Sequence, residues 1–584
     1  MQMPPAIFGK YLYDDLAFTL KAHTQNESKK AFKIIEKYKN DYYFLGYIQY
    51  EFYKYLEDKN YKSKEPFLYF FAFKTRKMFI NEEKNLDFYP SFLSKLNQEK
   101  YFENFNKVKQ AIAKGQSYQV NLTQELHLQS NLSLYESFLS LYPKQNTPYK
   151  AYIKNEFLEL ASFSPELFFK IKNKKIITKP MKGTIKRSNN PKEDEKLKNF
   201  LKQDEKTISE NVMIVDLLRN DISKLIKKHS LKCELFEVKT YPTLHQLISK
   251  ISGKLKQKND YFKIFKALFP CGSITGAPKI ETIKLIQNLE QRDRGIYCGA
   301  IGLIHKNKAK FSVAIRTLEK KNNDSFLRYG VGSGLVWDSQ KQDEFKELKL
   351  KSKILEPNFY LFETMYYKNN SILFFKEHLV RILNSAKFFG FETQRLIHDF
   401  KNILNSKDKK IHFKSLQNFN DFAFNHQHFF IKSNFTQKGQ KAIKLQLFKN
   451  GLYEFNFSNI QENSSKKLLI SKDVLKVNLL THHKTSLRSL YEANSHLWKE
   501  NICYDIVFFN EQGLLCEGSR TNIIINLNSE YFTPYAKNCL NGIYRQALLK
   551  YKLIKEKDIT KDELLNAKEI YAINSLRGLK RVFL

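Results

Sequence analysis

The sequence predicts a mixed α/β protein of the α+β type, divided into two domains. Three observations support this. Short runs of alternating apolar residues are interleaved with amphipathic helical patterns along the whole chain. A chain of 584 residues is too long for one hydrophobic core. Glu356-Pro357-Asn358 interrupts the pattern after a helix-like stretch. We therefore expect domains at residues 1–355 and 359–584.

The elements of each half follow from the apolar spacing. In the first half we expect strands at 43–50 and 67–73 and amphipathic helices at 101–114 and 209–228. The second half opens with strands at 359–367 and 372–375 and a helix at 378–389. Residues 406–440 are polar and rich in Asn, Lys and His, which predicts an irregular connection.

The charge is strongly basic, with a net +38 and a pI near 9.6. Such a chain attracts nucleic acid, anionic membranes or acidic small molecules. The basic residues are scattered singly and in pairs, without the spaced motifs of RNA- or DNA-binding domains. We therefore expect no nucleic-acid partner, although a basic nucleic-acid-binding protein stays as the alternative from another class.

The cysteines and the N-terminus bear on location. The six cysteines show no CxxC and no short repeated spacing, so neither a disulfide frame nor a zinc site is expected. The N-terminal residues lack the layout of a signal peptide, and no run of about 18 apolar residues occurs. We expect a cytoplasmic protein that does not enter a membrane.

An acid and an amine bracket a predicted hairpin. Apolar runs flank a polar turn at Asn173-Lys174, and pairing about that turn sets Glu166 roughly opposite Met181 and Lys182. Gly183 relaxes the backbone beside them. The pair fits an acid and a nucleophile, but a cross-strand salt bridge on a wet surface explains the same spacing.

Acidic residues also recur at helical spacing. Glu344, Glu347 and Lys351 share one helix face, and Glu210 heads another amphipathic helix. Carboxylates delivered by two helices suit Mg²⁺, which takes few protein oxygens and keeps waters and substrate oxygens. Ordinary surface acids remain the simpler reading of this spacing.

A glycine-bearing loop, PCGSITGAPK at 270–279, leads into a helix and offers backbone N–H groups to an anion. It lacks the GK[ST] of a P-loop. A carboxylate ligand, a phosphate or a plain turn all fit.

Seven segments in order resemble the chorismate-utilising enzyme family, whose fold is a two-sheet sandwich flanked by helices. They are SFSPE (162–166), KPMKGTIKR (179–187), ENVMIVDLLRND (210–221), PCGSITGAPK (270–279), IRT (315–317), YGVGSG (329–334) and DEFKELKLK (343–351). Within that family Lys182 resembles the aminodeoxychorismate synthases, since anthranilate synthases carry alanine there. The resemblance covers most of residues 40–353.

The resemblance implies a role for each matching residue. Lys182 would attack C2 of chorismate while Glu166, as general acid, protonates the leaving C4 hydroxyl, and ammonia would then enter at C4. Glu210, Glu344 and Glu347 would hold Mg²⁺. The chorismate pocket would be lined by His245, Thr275, Gly276, Arg316, Tyr329, Gly332 and Lys351.

The second half carries a candidate cofactor lysine, Lys484, in THHKTSLR after an apolar segment. A lone lysine is usually solvent-facing. The segments FETM (362–365), HLVRILNSAKFFGF (378–391), CEGSRTNIII (516–525), NGIYRQ (541–546) and AINSLRGLKRV (572–582) resemble the fold-type IV pyridoxal phosphate enzymes, which include D-amino-acid aminotransferases and aminodeoxychorismate lyases. Leu487 departs from the asparagine common in that family.

This second resemblance implies the cofactor contacts but not the reaction. Lys484 would bind pyridoxal 5′-phosphate and Glu517 would keep its pyridine nitrogen protonated. The phosphate would be anchored by Arg381, Ile543, Asn574 and Ser575. Because a synthase-like half precedes it, we expect a lyase that releases pyruvate and forms 4-aminobenzoate, a precursor of folate.

Partners follow from what the chain lacks. No GxCxGxQ glutaminase motif occurs in the sequence, so ammonia would come from a separate glutamine amidotransferase subunit. The resemblance of the second half also admits a homodimer through that domain. The alternative enzyme reading joins an anthranilate synthase to an aminotransferase, and Lys182 argues against it.

Overall fold

A computed structural model describes residues 6–58, 60–81, 85–188, 190–240, 244–256, 260–406 and 412–584. The chain forms two compact units, one of residues 1–83 and 88–356 and the other of residues 84–87 and 357–584. Both units contain helices and sheets, so the predicted mixture of α and β structure is confirmed.

The first unit is rich in strands, and their bounds are as follows. They are β1 (Ala6–Phe8), β2 (Tyr11–Ala22), β3 (Tyr43–Ile48), β4 (Leu68–Met78), β5 (Pro90–Phe92), β6 (Gln119–Ser130), β7 (Tyr149–Lys154), β8 (Leu158–Ser164), β9 (Leu167–Lys172), β10 (Lys175–Lys179), β11 (Met181–Lys186), β12 (Lys232–Thr240), β13 (Leu244–Lys254), β14 (Gly276–Ala277), β15 (Ala300–His305), β16 (Lys308–Val313), β17 (Thr317–Lys321) and β18 (Leu327–Leu335). The helices are α1 (Gln25–Tyr38), α2 (Phe52–Glu57), α3 (Gln98–Ala113), α4 (Leu134–Leu141), α5 (Pro191–Gln203), α6 (Glu205–Ser223), α7 (Tyr261–Leu268), α8 (Lys279–Glu290) and α9 (Lys341–Ser352).

These strands pair antiparallel in one continuous network. The order is β5-β6-β18-β17-β8-β7-β1-β2-β4-β3-β15-β16-β9-β10-β13, with β11 and β12 also on β13 and β14 on β6.

The network folds over itself into two layers with helices outside. Along β3, Phe44 points into a core shared with helices α1 and α7, whereas Leu45 points into a second core shared with β7 and β8. Successive strand residues point to opposite faces, so both faces of β3 are buried. This is the sandwich with flanking helices that the family resemblance implied.

The predicted hairpin forms, but its register differs from the expectation. The turn lies at Asn173-Lys174, and Lys175 pairs with Lys172. A shift between Ile177 and Lys179 then sets Lys179 opposite Leu167. Pro180 separates β10 from β11, which begins at Met181 and pairs Lys182 with Leu247 of β13. Lys182 is therefore not the cross-strand partner of Glu166, because proline lacks the N–H that would continue the ladder.

The second unit contains two five-stranded sheets and one three-stranded sheet among the described residues. Its strands are β19 (Leu361–Lys368), β20 (Ser371–Leu373), β21 (Phe430–Lys432), β22 (Gln440–Leu447), β23 (Tyr453–Ser458), β24 (Leu468–Ile470), β25 (Asp505–Phe509), β26 (Leu515–Gly518), β27 (Asn522–Leu527), β28 (Glu530–Thr533), β29 (Lys555–Glu556), β30 (Glu569–Asn574) and β31 (Gly578–Val582). Its helices are α10 (Phe375–Phe389), α11 (Gln394–Asp399), α12 (Lys401–Leu404), α13 (Leu416–Asn425), α14 (Ser489–Glu492), α15 (Ser495–Lys499), α16 (Ile543–Lys550) and α17 (Lys561–Leu565).

The stretch 406–440 is less irregular than its polarity predicted. Within it, α13 buries Leu416, Phe419 and Ala423. These side chains pack in one core with Ile543 of α16 and Ile573 of β30. The part of this stretch at 407–411 lies outside the described residues.

In the described ranges, every helix is too short or too polar to cross a lipid bilayer. The six cysteines are all described and free, and only Cys233 is exposed.

Candidate active sites

A cavity of about 560 Å³ in the first unit gathers most of the residues expected there. Its wall includes nine of them, namely Glu166, Lys182, Glu210, Arg316, Tyr329, Gly332, Glu344, Glu347 and Lys351. They come from separate strands and helices, so only the fold brings them together.

Glu166 has the environment of a general acid. It is buried, and the Ser273 hydroxyl donates a hydrogen bond of 2.6 Å to its Oε1. Burial raises the pKa of the Glu166 carboxyl above its ordinary value, against the opposing effects of Ser273 and of the Lys182 and Lys351 charges. A carboxyl with a raised pKa keeps its proton closer to neutral pH, which is the state that proton donation needs.

Lys182 reaches the same cavity from strand β11. Its Nζ lies 3.5 Å from Oε2 of Glu210 on α6, and both side chains are mostly buried. The neighbouring Gly183 has a φ of +69°, and a Cβ there would lie 2.3 Å from the Thr207 side chain. Glycine is therefore required where β11 approaches α6, and this approach places the amine beside the carboxylate.

Helix α9 supplies the opposite wall. The Lys351 amine donates to the Gly332 carbonyl at 2.7 Å and lies 2.7 Å from Glu347 Oε1. The Tyr329 hydroxyl donates to the Lys351 carbonyl at 3.1 Å. Glu344 is buried and accepts a hydrogen bond of 2.7 Å from the Ser339 hydroxyl. These contacts fix one cation and two carboxylates on the cavity wall.

The donor set suits Mg²⁺ in kind. Glu210, Glu344 and Glu347 all line the cavity, and Mg²⁺ completes its coordination with water and substrate oxygens. Among the described residues, no group of three or more His, Cys, Asp or Glu side chains is already assembled around a metal position.

Three residues expected in the chorismate pocket do not line this cavity. His245 is buried, its Nε2 lies 3.0 Å from Asp194, and its Nδ1 lies 2.9 Å from the Thr240 hydroxyl. The next residue, Gln246, lines the cavity instead, as expected because adjacent strand residues point to opposite faces.

Thr275 and Gly276 lie behind the cavity wall. The Thr275 hydroxyl donates to the Cys271 carbonyl at 2.9 Å. A Cβ at Gly276 would lie 1.9 Å from the Gln119 carbonyl oxygen, so strand β14 packs against β6 as closely as glycine allows. Both residues shape the loop that presents Ser273 to Glu166.

Some wall residues had not been expected. They include Ser273, Asn121, Gln246 and Tyr297. Ser273 lies inside the quoted PCGSITGAPK motif, so the motif identified the segment but not the side chain that contacts the acid.

A second cavity, of about 280 Å³, lies in the second unit. All six residues expected at the cofactor line it: Arg381, Lys484, Glu517, Ile543, Asn574 and Ser575.

Lys484 lies in a position that favours its neutral amine. Burial lowers its pKa to about 7, and the positive charges of Arg381, Arg488 and Lys444 act in the same direction, while Glu363 opposes them. A lysine with such a pKa is available near neutral pH as a free amine, which is the form that reacts with a carbonyl group.

Glu517 is held at the other side of the cavity. It is buried, its Oε1 accepts from the Tyr491 hydroxyl at 2.7 Å, and its Oε2 accepts from the Leu540 N–H at 3.2 Å. Burial raises its pKa to about 7, against Tyr491 and the Arg488 charge. Such a carboxyl can share a proton with a ring nitrogen.

An anion cradle completes the cavity. The Arg381 guanidinium is clamped by Glu363, with bonds of 2.8 and 2.5 Å, and donates to the Asn541 carbonyl at 3.0 Å. Burial raises the pKa of Glu363, but the charges of Arg381 and His378 outweigh it and hold that pKa well below its usual range. Helix α16 begins at Ile543 without a side-chain cap from the described residues, and the first N–H groups of such a helix favour a phosphate.

These features fit pyridoxal 5′-phosphate. The cavity combines a lysine with a lowered pKa, a buried carboxyl and, at the start of a helix, an arginine beside open backbone donors. Glu363, which orients Arg381, belongs to the quoted FETM motif but had no role assigned from sequence.

Comparison with known proteins identifies the two parts. Residues 74–357 match the family described as chorismate binding enzyme, and residues 360–582 match the family described as amino-transferase class IV. The chain therefore joins a chorismate-binding-enzyme domain to a class IV aminotransferase domain, which confirms both resemblances.

Individual relatives match the first part. Aminodeoxychorismate synthase component 1 of Escherichia coli (strain K12) is 38% identical over 256 residues, covering 44% of this chain and 56% of the relative. Anthranilate synthase component 1 of Aquifex aeolicus (strain VF5) is 33% identical over 278 residues, covering 47% of this chain and 55% of the relative. The chain thus spans little more than half the length of each.

A solved structure shares the fold of the first part. The crystal structure of anthranilate synthase component I from Streptococcus pneumoniae TIGR4 superposes with a TM-score of 0.50 at 21% identity, covering 60% of this chain and 92% of that one.

Proposed function

We propose that this chain makes 4-aminobenzoate from chorismate and ammonia, with the first reaction in the first unit and the second reaction in the second unit. The observation that carries the proposal is that Lys182 and Glu166 line one cavity while burial raises the pKa of Glu166. The similarity to an enzyme named aminodeoxychorismate synthase component 1 supports the same choice.

In the first reaction, the Lys182 amine forms a bond to C2 of chorismate. The two ring double bonds shift, and the C4 hydroxyl leaves as water with the proton of Glu166. Ammonia then forms a bond to C4, the double bonds shift back, and the lysine amine leaves C2. The product carries an amine where chorismate carried a hydroxyl.

The other residues of the first cavity would position the substrate. Lys351 and Arg316 are cations on the wall and would bind its carboxylates. Glu210, Glu344 and Glu347 would hold Mg²⁺, which neutralises a ring carboxylate when bound.

In the second reaction, the residues of the second cavity would convert aminodeoxychorismate into 4-aminobenzoate and pyruvate. Pyridoxal phosphate, when bound, supplies an electron sink. Lys484 would remove the C4 proton, because a pKa of about 7 leaves a free amine at neutral pH. The ether bond at C3 breaks, enolpyruvate leaves to become pyruvate, and the ring becomes aromatic.

Ammonia would come from a separate glutamine amidotransferase. This chain would itself form a homodimer through its second unit. The proposal predicts activity with an ammonium salt but not with glutamine alone. Sedimentation of the purified chain tests the dimer.

The experiment that tests the function is chromatography with mass detection after incubation with chorismate, an ammonium salt at mildly alkaline pH, Mg²⁺ and pyridoxal phosphate. Formation of 4-aminobenzoate and pyruvate supports both reactions. Accumulation of aminodeoxychorismate would show that the second unit is not the lyase. Formation of anthranilate would favour the second candidate function, an anthranilate synthase joined to an aminotransferase. The similarity to anthranilate synthase component 1 of Aquifex aeolicus is the observation that supports this alternative.

A further inference from the structure

Four arginines of the described chain line the cavity of the second unit, and they differ in how their charge is balanced. Arg381 forms an ion pair with Glu363 at 2.5 Å, and Arg488 lies 3.4 Å from a Glu492 oxygen. Arg520 and Arg577, in contrast, form no ion pair with any carboxylate of the described residues.

The hydrogen bonds of the two arginines leave most of their donors unused. Arg520 donates to the Tyr504 carbonyl and stacks over the Trp498 ring, 4.6 Å from its centroid. Arg577 donates to the Gln461 carbonyl at 3.3 Å. Within the described ranges, the Nε–H group of each has no acceptor.

Asp505 acts on Arg577 through its charge, but among the described residues it forms no ion pair with either guanidinium. Asp505 accepts from the backbone N–H of Arg520 at 3.2 Å and from the Thr521 hydroxyl at 2.6 Å through Oδ2, and the Ser519 hydroxyl donates to its Oδ1. Its oxygens thus hold the loop of residues 519–521 rather than a guanidinium.

The two charges also repel each other. Burial lowers the pKa of Arg577 and the charge of Arg520 lowers it further, while Tyr504 and Asp505 oppose this shift only in part. Two cations without an ion-paired carboxylate among the described residues are costly at one cavity wall, and a bound anion would reduce that cost. The planar guanidinium fork matches a carboxylate in two-point geometry.

We propose that Arg520 and Arg577 together bind a carboxylate of the substrate, so that the second unit selects amines that carry carboxylates. This inference rests on the proposed function, because aminodeoxychorismate has two carboxylates. It adds the residues that recognise one of them. Asn574 places Arg577 by accepting its backbone N–H at 2.8 Å.

The pair can be tested through a local reporter. The chain has two tryptophans, so Trp337→Phe leaves Trp498, beside Arg520, as the single source of tryptophan emission. The full chain with pyridoxal phosphate is titrated with isophthalate, an aromatic dicarboxylate, and with benzoate for comparison. We expect isophthalate to change the Trp498 emission saturably and to bind more tightly than benzoate.

Variants assign the effect to the two arginines. Arg520→Gln and Arg577→Gln should each weaken isophthalate binding about tenfold or more, since a hydrogen bond between charged groups is lost. Arg581→Gln is the control, because Arg581 is exposed and pairs with Glu569, and it should bind isophthalate unchanged. Arg520→Lys and Arg577→Lys keep the positive charge and should therefore lose less isophthalate affinity than the glutamine variants. They also keep the test valid if a glutamine variant fails to fold.

Two further readouts separate the outcomes. With aminodeoxychorismate, the glutamine variants should raise KM more than they lower kcat. Unchanged isophthalate binding in both glutamine variants would overturn the proposal, and loss of bound pyridoxal phosphate with isophthalate binding intact would assign the pair to the cofactor instead. If no variant or parent forms 4-aminobenzoate while isophthalate binding still needs both arginines, the proposed function fails and the carboxylate site stands.

Discussion

Replacing Lys484 with methionine should stabilise the cofactor-free second unit. The amine is kept in a site that lowers its pKa from 10.5 to about 7, whereas the unfolded chain keeps the ordinary value. At pH 7 such a shift corresponds to roughly 4 kcal/mol of lost stability. Because the side chain is partly exposed to solvent in the cavity, we expect about 2 kcal/mol to be regained in Lys484→Met.

The lowered pKa of Lys484 determines whether stability rises or falls with pH. Below pH 7 the amine is protonated in both states, so the full cost of burying the charge is present. Between pH 7 and 10.5 the unfolded chain holds a proton that the folded chain releases, and wild-type stability therefore rises with pH. The advantage of Lys484→Met should be largest at and below pH 7 and should vanish near pH 10.5.

The assay is urea denaturation of cofactor-free protein in the Trp337→Phe background, where Trp498 reports on the second unit. Lys432→Met serves as the control, because Lys432 is exposed on a strand of the same unit, and its free energy of unfolding should stay within about 0.5 kcal/mol. The burial of this amine would be refuted if Lys484→Met did not raise the free energy of unfolding at pH 7. It would also be refuted if the increase were the same at pH 7 and pH 10.

Three further predictions concern the first unit. Lys182→Ala should reduce aminodeoxychorismate formation, followed by mass detection, to background, whereas Lys186→Ala on the same strand should keep it; retained activity in Lys182→Ala would remove its role as nucleophile. Ser273→Ala removes a hydrogen bond to Glu166, so the pKa of the Glu166 carboxyl should rise further and the alkaline limb of the pH–rate profile should move to higher pH; an unmoved profile would contradict this. Chelation of Mg²⁺ by EDTA should stop chorismate consumption but not the conversion of supplied aminodeoxychorismate, and equal loss of both would show that the metal does not belong to the first cavity.

Local patterns predicted the elements well, but not how distant elements meet. The turn at Asn173-Lys174 was evident because polar residues separate two apolar runs. The register beyond it depends on β13, where Lys182 pairs with Leu247. No spacing within the hairpin contains that information, and the expected pairing of Glu166 with Lys182 was wrong for this reason.

The direction in which side chains point was the second feature that the sequence could not predict. The resemblance placed His245 in the chorismate pocket, but the residue that faces the cavity is Gln246. Ser273 contacts an acid 107 residues away in sequence, and such a contact follows only from the fold. In α13, the buried Leu416, Phe419 and Ala423 follow helical spacing, and a judgement based on average polarity missed them.

The second cavity was predicted more completely, since every expected cofactor residue lines it. Its motifs lie on loops and strand ends that enclose one ligand, so similarity in sequence carried over to position. The balance of charge did not carry over. Arg381 has Glu363 as its ion-pair partner, whereas Arg520 has no carboxylate partner in the described part of the chain, and both facts depend on distances that residue identity does not contain.

The irregularity in the β11–β13 pairing, between Lys182 and Thr184, bears on how this enzyme tolerates insertions and deletions. Side chains alternate along a strand, so loss of one residue from 183–186 would rotate Lys182 out of phase with the rest of β11. The long connection from β11 to β13 runs through two helices and a strand and can absorb changes in length at its surface turns. We therefore expect chain length to be constrained next to Lys182 but not a few residues later, and variants that change the length of the two segments should differ sharply in activity.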